Sequence, residues 1–434
     1  MDPLPTDFFN SSCNPIGPTA AVIGGGPGGL MAAEVLARSG ASVTVYEQMP
    51  TMGRKFLIAG RGGLNITHSE PLELLLSRYG DKATELTAAV SNFPPSAIQD
   101  WCASLSQKTF VGSSGRVFPS GFRATELLRT WLALLKTLGV RMENGERWMG
   151  WDEETGALLI SAVDPVIPEI EPRSLFPEVT LMSLGGGSWA RTGSDAKWVP
   201  RLRNIGLRVQ DLRPANSGFV VQWSPAFLER FEGKPVKNIA IKIGDTSERG
   251  EIMISAEGIE GGAVYAVGRE LRDSLDRGNE MPLRIDLRPD LSLEVLESKL
   301  RSSRPKASLS TLLQRSVGLP DVSIGLMREA TQNDLPRDPL LLAQLIKALP
   351  IAVVEIQGLD RAISTAGGLG FEELTDEFML RQRPGVFVAG EMIDWEAPTG
   401  GYLLQATLST AVAAARGALH WWIEQQARAE EPDL

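Results

Sequence analysis

The residues best suited to chemistry in this 434-residue chain are three glycines spaced G-x-G-x-x-G: Gly24, Gly26 and Gly29, in "VIGGGPGGL". Pro27 and Gly28 complete the loop. A loop of this kind holds a phosphate with bare backbone. The first glycine permits a tight turn, the second lets N–H groups approach a pyrophosphate, and the third lets a helix close on a strand. A packing turn is glycine-rich too, so the flanks must decide. Glu47 follows 18 positions after Gly29, with Gln48 beside it. A carboxylate there accepts both hydroxyls of an adenosine ribose and repels a 2′-phosphate. That pattern selects FAD or NAD over NADP.

The elements that must position this loop are legible around it. A β-branched stretch at 19–23 predicts a buried strand, 27–39 a helix closed by Gly40, and 42–46 a second strand. Together they have the size of one βαβ unit. Further on, 126–138 predicts an amphipathic helix and 178–184 a strand running into Gly185 and Gly186. A fourth strand is predicted at 383–391, ending at Gly390 and Glu391, and a long Ala-rich helix at 401–426. Between them the pattern changes. Alternating β-branched runs fill 207–266, and helical periodicity fills 291–349. The expected class is therefore α/β: a Rossmann-like dinucleotide-binding domain interrupted by a β-rich, barrel-like domain and a small helical domain. We expect a tail at 1–18, the binding domain at 19–195 and 360–434, the β-rich insertion at 196–275 and 345–359, and the helical insertion at 276–344.

Two distant segments favour FAD over NAD. The loop "GRKFLIAGRGGLNITHSE" (53–70) carries Arg54, Lys55 and Arg61 among glycines, a composition suited to a second phosphate face and to a flavin ring. It would equally serve as a surface loop. At the other end, Gly390-Glu391 closes a strand and Gly400-Gly401 opens a helix, whose N-terminus can stabilise negative charge on a reduced flavin.

The bulk numbers narrow the partners. The net charge is −10, with 43% hydrophobic and 22% charged residues. This argues against broad binding to a phosphate backbone and so against a DNA partner. Only Cys13 and Cys102 are present, with no CxxC pair, and the two histidines lie far apart. Neither a metal site nor a disulfide framework is expected, and a reducing, cytoplasmic compartment is. No window of eighteen residues is continuously apolar, so no membrane span is expected, and the N-terminus lacks the features of a secretory signal.

Five segments together resemble a known family. "AAVIGGGPGGLMAAEVLA", "GRKFLIAGRGGLNITHS", "GRVFPSG", "LMSLGGGSWARTGSD" and "GVFVAGEMIDWEAPTGGYLLQA" occur in the order seen in the bacterial aminoacetone oxidase family of FAD-binding enzymes, within the glutathione-reductase-like superfamily. The resemblance implies an extended FAD. It implies Gly24, Gly26, Gly28 and Gly29 at the pyrophosphate, Glu47 at the ribose, and Arg54 and Lys55 near the phosphates or ribityl chain. Gly62, Asn65 and Thr67 would lie near the flavin, with Gly60, Arg61, Gly63 and Leu64 as further cofactor-binding residues of the same loop. Trp148 would offer backbone hydrogen bonds to adenine, and Glu391 would face the ribityl chain. Gly401, Tyr402 and Leu403 would lie beside the isoalloxazine ring. The chain departs from the family pattern where Gly63 and Leu64 replace Arg and Cys, where Leu403 replaces Asn, and where 183–186 reads "SLGG". Both of the first two changes remove polar groups near the expected flavin.

No catalytic acid or base is singled out. His68 could exchange a proton or be a loop histidine. Tyr402 could bind substrate or wall the flavin, and Arg116 could meet an acidic substrate or form a structural ion pair. The expected function is an FAD-dependent oxidoreductase acting on a small organic molecule, with a nicotinamide, NAD(P)H, as a diffusible reductant. The alternative is a non-catalytic or RNA-related flavin-binding protein. A monomer is expected.

Overall fold

The computed structural model describes residues 17–60, 63–163, 170–244, 246–278, 283–302 and 308–430. Arg61 and Gly62 lie outside them. The chain divides into two units, one running to Arg213 and resuming at Thr365, the other spanning Pro214–Ser364.

The first unit is built on a parallel sheet. Its strands are β1 (Thr19–Ile23), β2 (Ser42–Glu47), β3 (Arg141–Asn144), β4 (Val179–Met182) and β5 (Val386–Val388), in spatial order β5-β4-β1-β2-β3. The chain runs outward from β1 through β2 to β3, then returns to the other side of β1 for β4. The order therefore reverses at β1, and in open α/β sheets a ligand binds in the crevice at the carboxyl ends beside such a reversal. All but the first residue of β1 is buried, as expected for a strand covered on both faces. Helix α1 (Pro27–Arg38) follows β1. The last helix, α2 (Tyr402–Glu430), packs on α1, and its buried positions include Ala406, Ala411, Ala414, Ala415 and Ala418. These small side chains let the two backbones approach. The buried Gln405 is fully used: its amide nitrogen donates to the Phe93 carbonyl at 2.7 Å and to Ser409 at 2.9 Å, and its oxygen accepts from Thr67 at 2.5 Å.

The second unit has a seven-stranded antiparallel sheet. Its two edge strands, Leu349–Ile351 and Glu355–Ile356, are neighbours in sequence. Four residue steps span at most about 14 Å, whereas the edges of a flat seven-stranded sheet would stand about 29 Å apart. The sheet must therefore curl, which gives it the barrel-like form. Strand residues Ile241 and Ile252 share one hydrophobic core with Leu296, Leu313 and Leu342 from the helices. Those helices start where Ser292, Ser308 and Asp338 accept hydrogen bonds from first-turn N–H groups.

Candidate functional site

Each glycine of the first loop has its own steric reason. Gly24 has φ +107° and donates its N–H to the Tyr46 carbonyl at 2.8 Å, and a Cβ there would stand 2.2 Å from the Ser183 carbonyl oxygen. A Cβ on Gly29 would stand 1.9 Å from the Gly24 oxygen, and one on Gly28 would stand 2.4 Å from the Ser183 hydroxyl. Gly24, Gly28 and Gly29 thus serve close packing. Gly26 differs: a Cβ on it would meet nothing within 4 Å. It also caps α1, with Pro27 in the first turn and no side chain satisfying the helix N-terminus. Open space in front of bare N–H groups at a helix start is what an anionic diphosphate needs.

Glu47 ends β2 over this loop. One oxygen accepts from Gly25 N at 2.7 Å and the other from Met49 N at 2.8 Å. Burial raises its carboxyl above the usual range, and the two N–H groups and Arg54 offset only part of that. Gln48 ties the adjoining loops together, donating to the Gly193 carbonyl and accepting from Arg147 at 2.9 Å. Among the described residues, Arg54 Nε is buried without a hydrogen-bond partner, as are Asn65 Oδ1, Trp148 Nε1 and Ser194 Oγ. Ser194 Oγ lies 2.9 Å from where a Cβ on Gly185 would stand.

A second group of polar residues joins the far ends of the sequence. Lys55 Nζ donates to Ser188 Oγ and to Glu391 Oε2, both at 2.7 Å. The other Glu391 oxygen accepts from Thr365 N at 3.0 Å. Thr365 Oγ1 in turn accepts from Gly187 N and Ser188 N, and a Cβ on Gly186 would stand 2.3 Å from it. Gly390, at φ +79°, donates to Thr410 Oγ1 at 3.0 Å. Lys55, Gly185, Gly186, Gly390 and Glu391 are therefore brought together at the carboxyl ends of β4 and β5.

The loop after Gly60 meets the start of α2. Gly60 packs on Ala124, Leu64 is buried, and Gly63 (φ +109°) faces Phe118 and Phe122. A Cβ on Gly401 would stand 2.4 Å from the Thr67 carbonyl oxygen, so glycine is required for this approach; Gly400 (φ +133°) precedes it. Tyr402 is buried and stacks on His68 at 5.2 Å. Its phenol is raised by burial and by the nearby carboxylate of Glu70. Burial also pushes Glu70 up, but Arg78 at 2.8 Å and 3.2 Å and the Tyr402 hydroxyl outweigh it, and the carboxyl ends below its usual range. His68 Nδ1 accepts from Glu70 N at 3.2 Å, so Nε2 carries the proton and donates to the Ser114 carbonyl at 3.0 Å. Leu403 is half-buried against the core.

Trp148 lies on strand Glu146–Trp151, in edge contact with Trp151 at 4.9 Å, next to the Arg147 that donates to Gln48. Sequence reasoning missed Thr365, Ser188, Ser194, Glu70 and Arg78. Ser188 and Ser194 lie in the glycine-rich segment 181–195, Glu70 closes the loop 53–70 and Thr365 sits in a small-residue run at 364–368, but residue type singles out none of them.

The residues fit a dinucleotide of FAD length. The open cradle at Gly26, the half-buried acid Glu47, the Arg54 Nε without a partner among the described residues and the second glycine group around Glu391 are the donor and acceptor set it requires. Over 414 residues the chain is 28% identical to the 3-dehydro-bile acid delta(4,6)-reductase of Clostridium scindens, covering 92% of this chain and 98% of the relative. It is 22% identical to the ribosomal RNA dihydrouridine synthase of Haemophilus influenzae, over 91% of this chain and 96% of the relative. Two solved structures share the fold. The flavocytochrome c3 fumarate reductase in its open conformation has TM-score 0.50 and 14% identity, over 94% of this chain and 79% of that one. The 3-ketosteroid delta1-dehydrogenase from Sterolibacterium denitrificans has TM-score 0.51 and 13% identity, over 94% and 100%. Residues 18–417 match the family described as HI0933-like protein Rossmann domain, and the chain belongs to that family of FAD/NAD(P)-binding Rossmann proteins.

Proposed function

We propose that this protein is an FAD-dependent oxidoreductase that reduces a carbon–carbon double bond conjugated to a carbonyl in a small organic substrate. FAD, when bound, supplies hydride-transfer chemistry; the protein supplies position and charge. The observation that carries the reading is the pairing of an open, uncapped helix start at Gly26 with the Lys55–Glu391–Thr365 group, which gives an extended dinucleotide two anchored ends. Both named relatives carry names that describe saturating a double bond, which supports this bond type. Amine oxidation, suggested by the aminoacetone oxidase name, is not carried over, because Gly63, Leu64 and Leu403 replace the polar residues of that pattern.

In this reading Gly24 to Gly29 and the start of α1 hold the pyrophosphate, and Glu47 takes the adenosine ribose. Lys55 holds Glu391 in place for the ribityl chain. The start of α2, from Gly400 to Leu403, borders the reacting ring. NAD(P)H serves as a diffusible donor. RNA is the second reading, raised by the dihydrouridine synthase relative; the net charge of −10 weighs against it.

The test begins with colour and stoichiometry. The purified protein is expected to be yellow with one FAD per chain. After anaerobic reduction by NADH or NADPH, an unsaturated ketone should reoxidise it with loss of the double bond. Reduction of the oxidised flavin by an amine, or reoxidation of the reduced flavin by RNA and not by the ketone, would overturn the proposal.

A further inference from the structure

Strands Thr67–His68, Arg116–Pro119 and Thr109–Val111 form a small antiparallel sheet, with Arg116–Pro119 in the middle. His68 pairs with Arg116 and Phe110 with Phe118. Residues two apart on a strand share a face, and so do directly paired residues on neighbouring strands. One face therefore carries His68, Arg116, Phe118 and Phe110, while Val117 and Pro119 turn inward and are buried.

This face is polar at one end and aromatic at the other. At the aromatic end, Phe110 and Phe118 stack at 5.5 Å, and Phe122 meets them at 4.9 and 5.4 Å. Phe122 is 50% exposed and has φ +54°, a conformation a bulky residue adopts only under constraint. A Cβ on Gly63, in the loop expected beside the flavin, would touch Phe122 and Phe118 at 3.4 and 3.5 Å. At the polar end, His68 stacks on Tyr402. Arg116 Nε lies 3.6 Å from where a Cβ on Gly400 would stand, and the Arg116 side chain has no hydrogen-bond or ion-pair partner among the described residues.

We propose that this face is the substrate platform of the oxidoreductase, and that the substrate is a flat, apolar α,β-unsaturated ketone. The proposal rests on the function proposed above. The ring system lies against Phe118, Phe110 and Phe122, and the carbonyl oxygen accepts hydrogen bonds from the Arg116 guanidinium. In the reaction the carbon–carbon π bond breaks and a hydride originating in NAD(P)H forms the new C–H bond at the β carbon. The electron pair moves to the carbonyl oxygen, where Arg116 stabilises it, and a proton then adds at the α carbon. A guanidinium aimed at the oxygen that gains charge is the electrostatic arrangement such a step needs. A nucleobase would require hydrogen-bonding groups along its edges, and the aromatic end of the face offers none.

The test uses the FAD-loaded protein and 4-androstene-3,17-dione as probe, with binding read by equilibrium dialysis and turnover by NADPH-dependent product. Saturable binding is expected. F118A and F122A should each weaken it about tenfold, the scale of a lost aromatic contact. Phe122 is half exposed, so F122A tests the face even if F118A fails to fold. R116Q should lower turnover more than binding, with partial recovery in R116K. Unchanged probe binding in F118A and F122A overturns the platform, as does saturable binding of a uridine-containing RNA hairpin with no binding of the steroid. Phe-dependent steroid binding without any reduced product supports the platform and overturns the proposed reaction.

Discussion

Lys55 and Glu391, 336 positions apart in the chain, meet with 2.7 Å between the ammonium and a carboxylate oxygen. Both side chains are mostly covered, at 27% and 15% exposure, so the pair is only partly screened by water. Without Lys55, that oxygen keeps only a 3.4 Å contact from Gly186 N. K55M is expected to cost about 1–3 kcal/mol, the scale for stranding a covered charged group, and E391Q less. Urea unfolding of the two single variants and the double variant measures the coupling.

The two glycines Gly26 and Gly29 should separate folding from cofactor retention. A methyl at Gly26 meets nothing, so G26A should leave the stability of the flavin-free protein within about 1 kcal/mol while FAD binding weakens at least tenfold. A methyl at Gly29 collides with the Gly24 oxygen, so G29A should lose both. Thermal melts of flavin-free protein, beside FAD titration, distinguish the two outcomes.

Glu47 gives a pH signature. Burial raises its folded carboxyl above the ordinary value of a free glutamate, so the folded state holds this proton more tightly than the unfolded chain does. Its contribution to stability is full below about pH 4.5 and is lost as the pH rises through the folded value. The stability of flavin-free wild type relative to E47Q should therefore fall with rising pH across that window and level off above it. Urea unfolding at a series of pH values reads the slope, in which the constant loss of one hydrogen bond in E47Q cancels.

The Tyr402 hydroxyl interacts with the Glu70 carboxylate, which Arg78 already holds. Y402F should cost about 1–2 kcal/mol and raise the Glu70 carboxyl. Denaturation at neutral pH measures the first effect, and carboxyl titration by NMR measures the second.

Cys102 is fully buried, and burial pushes its thiol up to about 12. In the native protein it should resist a thiol reagent at pH 8 and react only after unfolding, as followed by mass mapping of the labelled peptide.

The local parts of the site were legible in the sequence because their signals are local. The turn at Gly24, the helix starting at Pro27 and the acid at Glu47 lie within one βαβ unit, and each occupies the element its pattern indicated. The helix predicted at 126–138 lies at Ala124–Thr137, and the one predicted at 401–426 extends to Glu430. Thr365 and Ser188 were not legible. Neither is distinctive in type, and each matters only because folding places it beside Lys55 or Gly187. Glu70 and Arg78 look like ordinary solvated charges until Tyr402, more than 320 positions later, packs against them. His68 was left between two roles by the sequence. Its strand pairing with Arg116 and its ring contact with Tyr402 place it at the polar end of the small sheet.

The strand order β5-β4-β1-β2-β3 also dictates a sequence of events during synthesis. The edge strand β5 and helix α2 leave the ribosome only after all of Pro214–Ser364 has been made. The inserted unit, with its own core, is thus free to fold while the parallel sheet still lacks an edge and α1 still lacks the helix that covers it. Until the last fifty or so residues arrive, the nascent chain presents the unpaired edge of an apolar sheet, the kind of surface that invites aggregation.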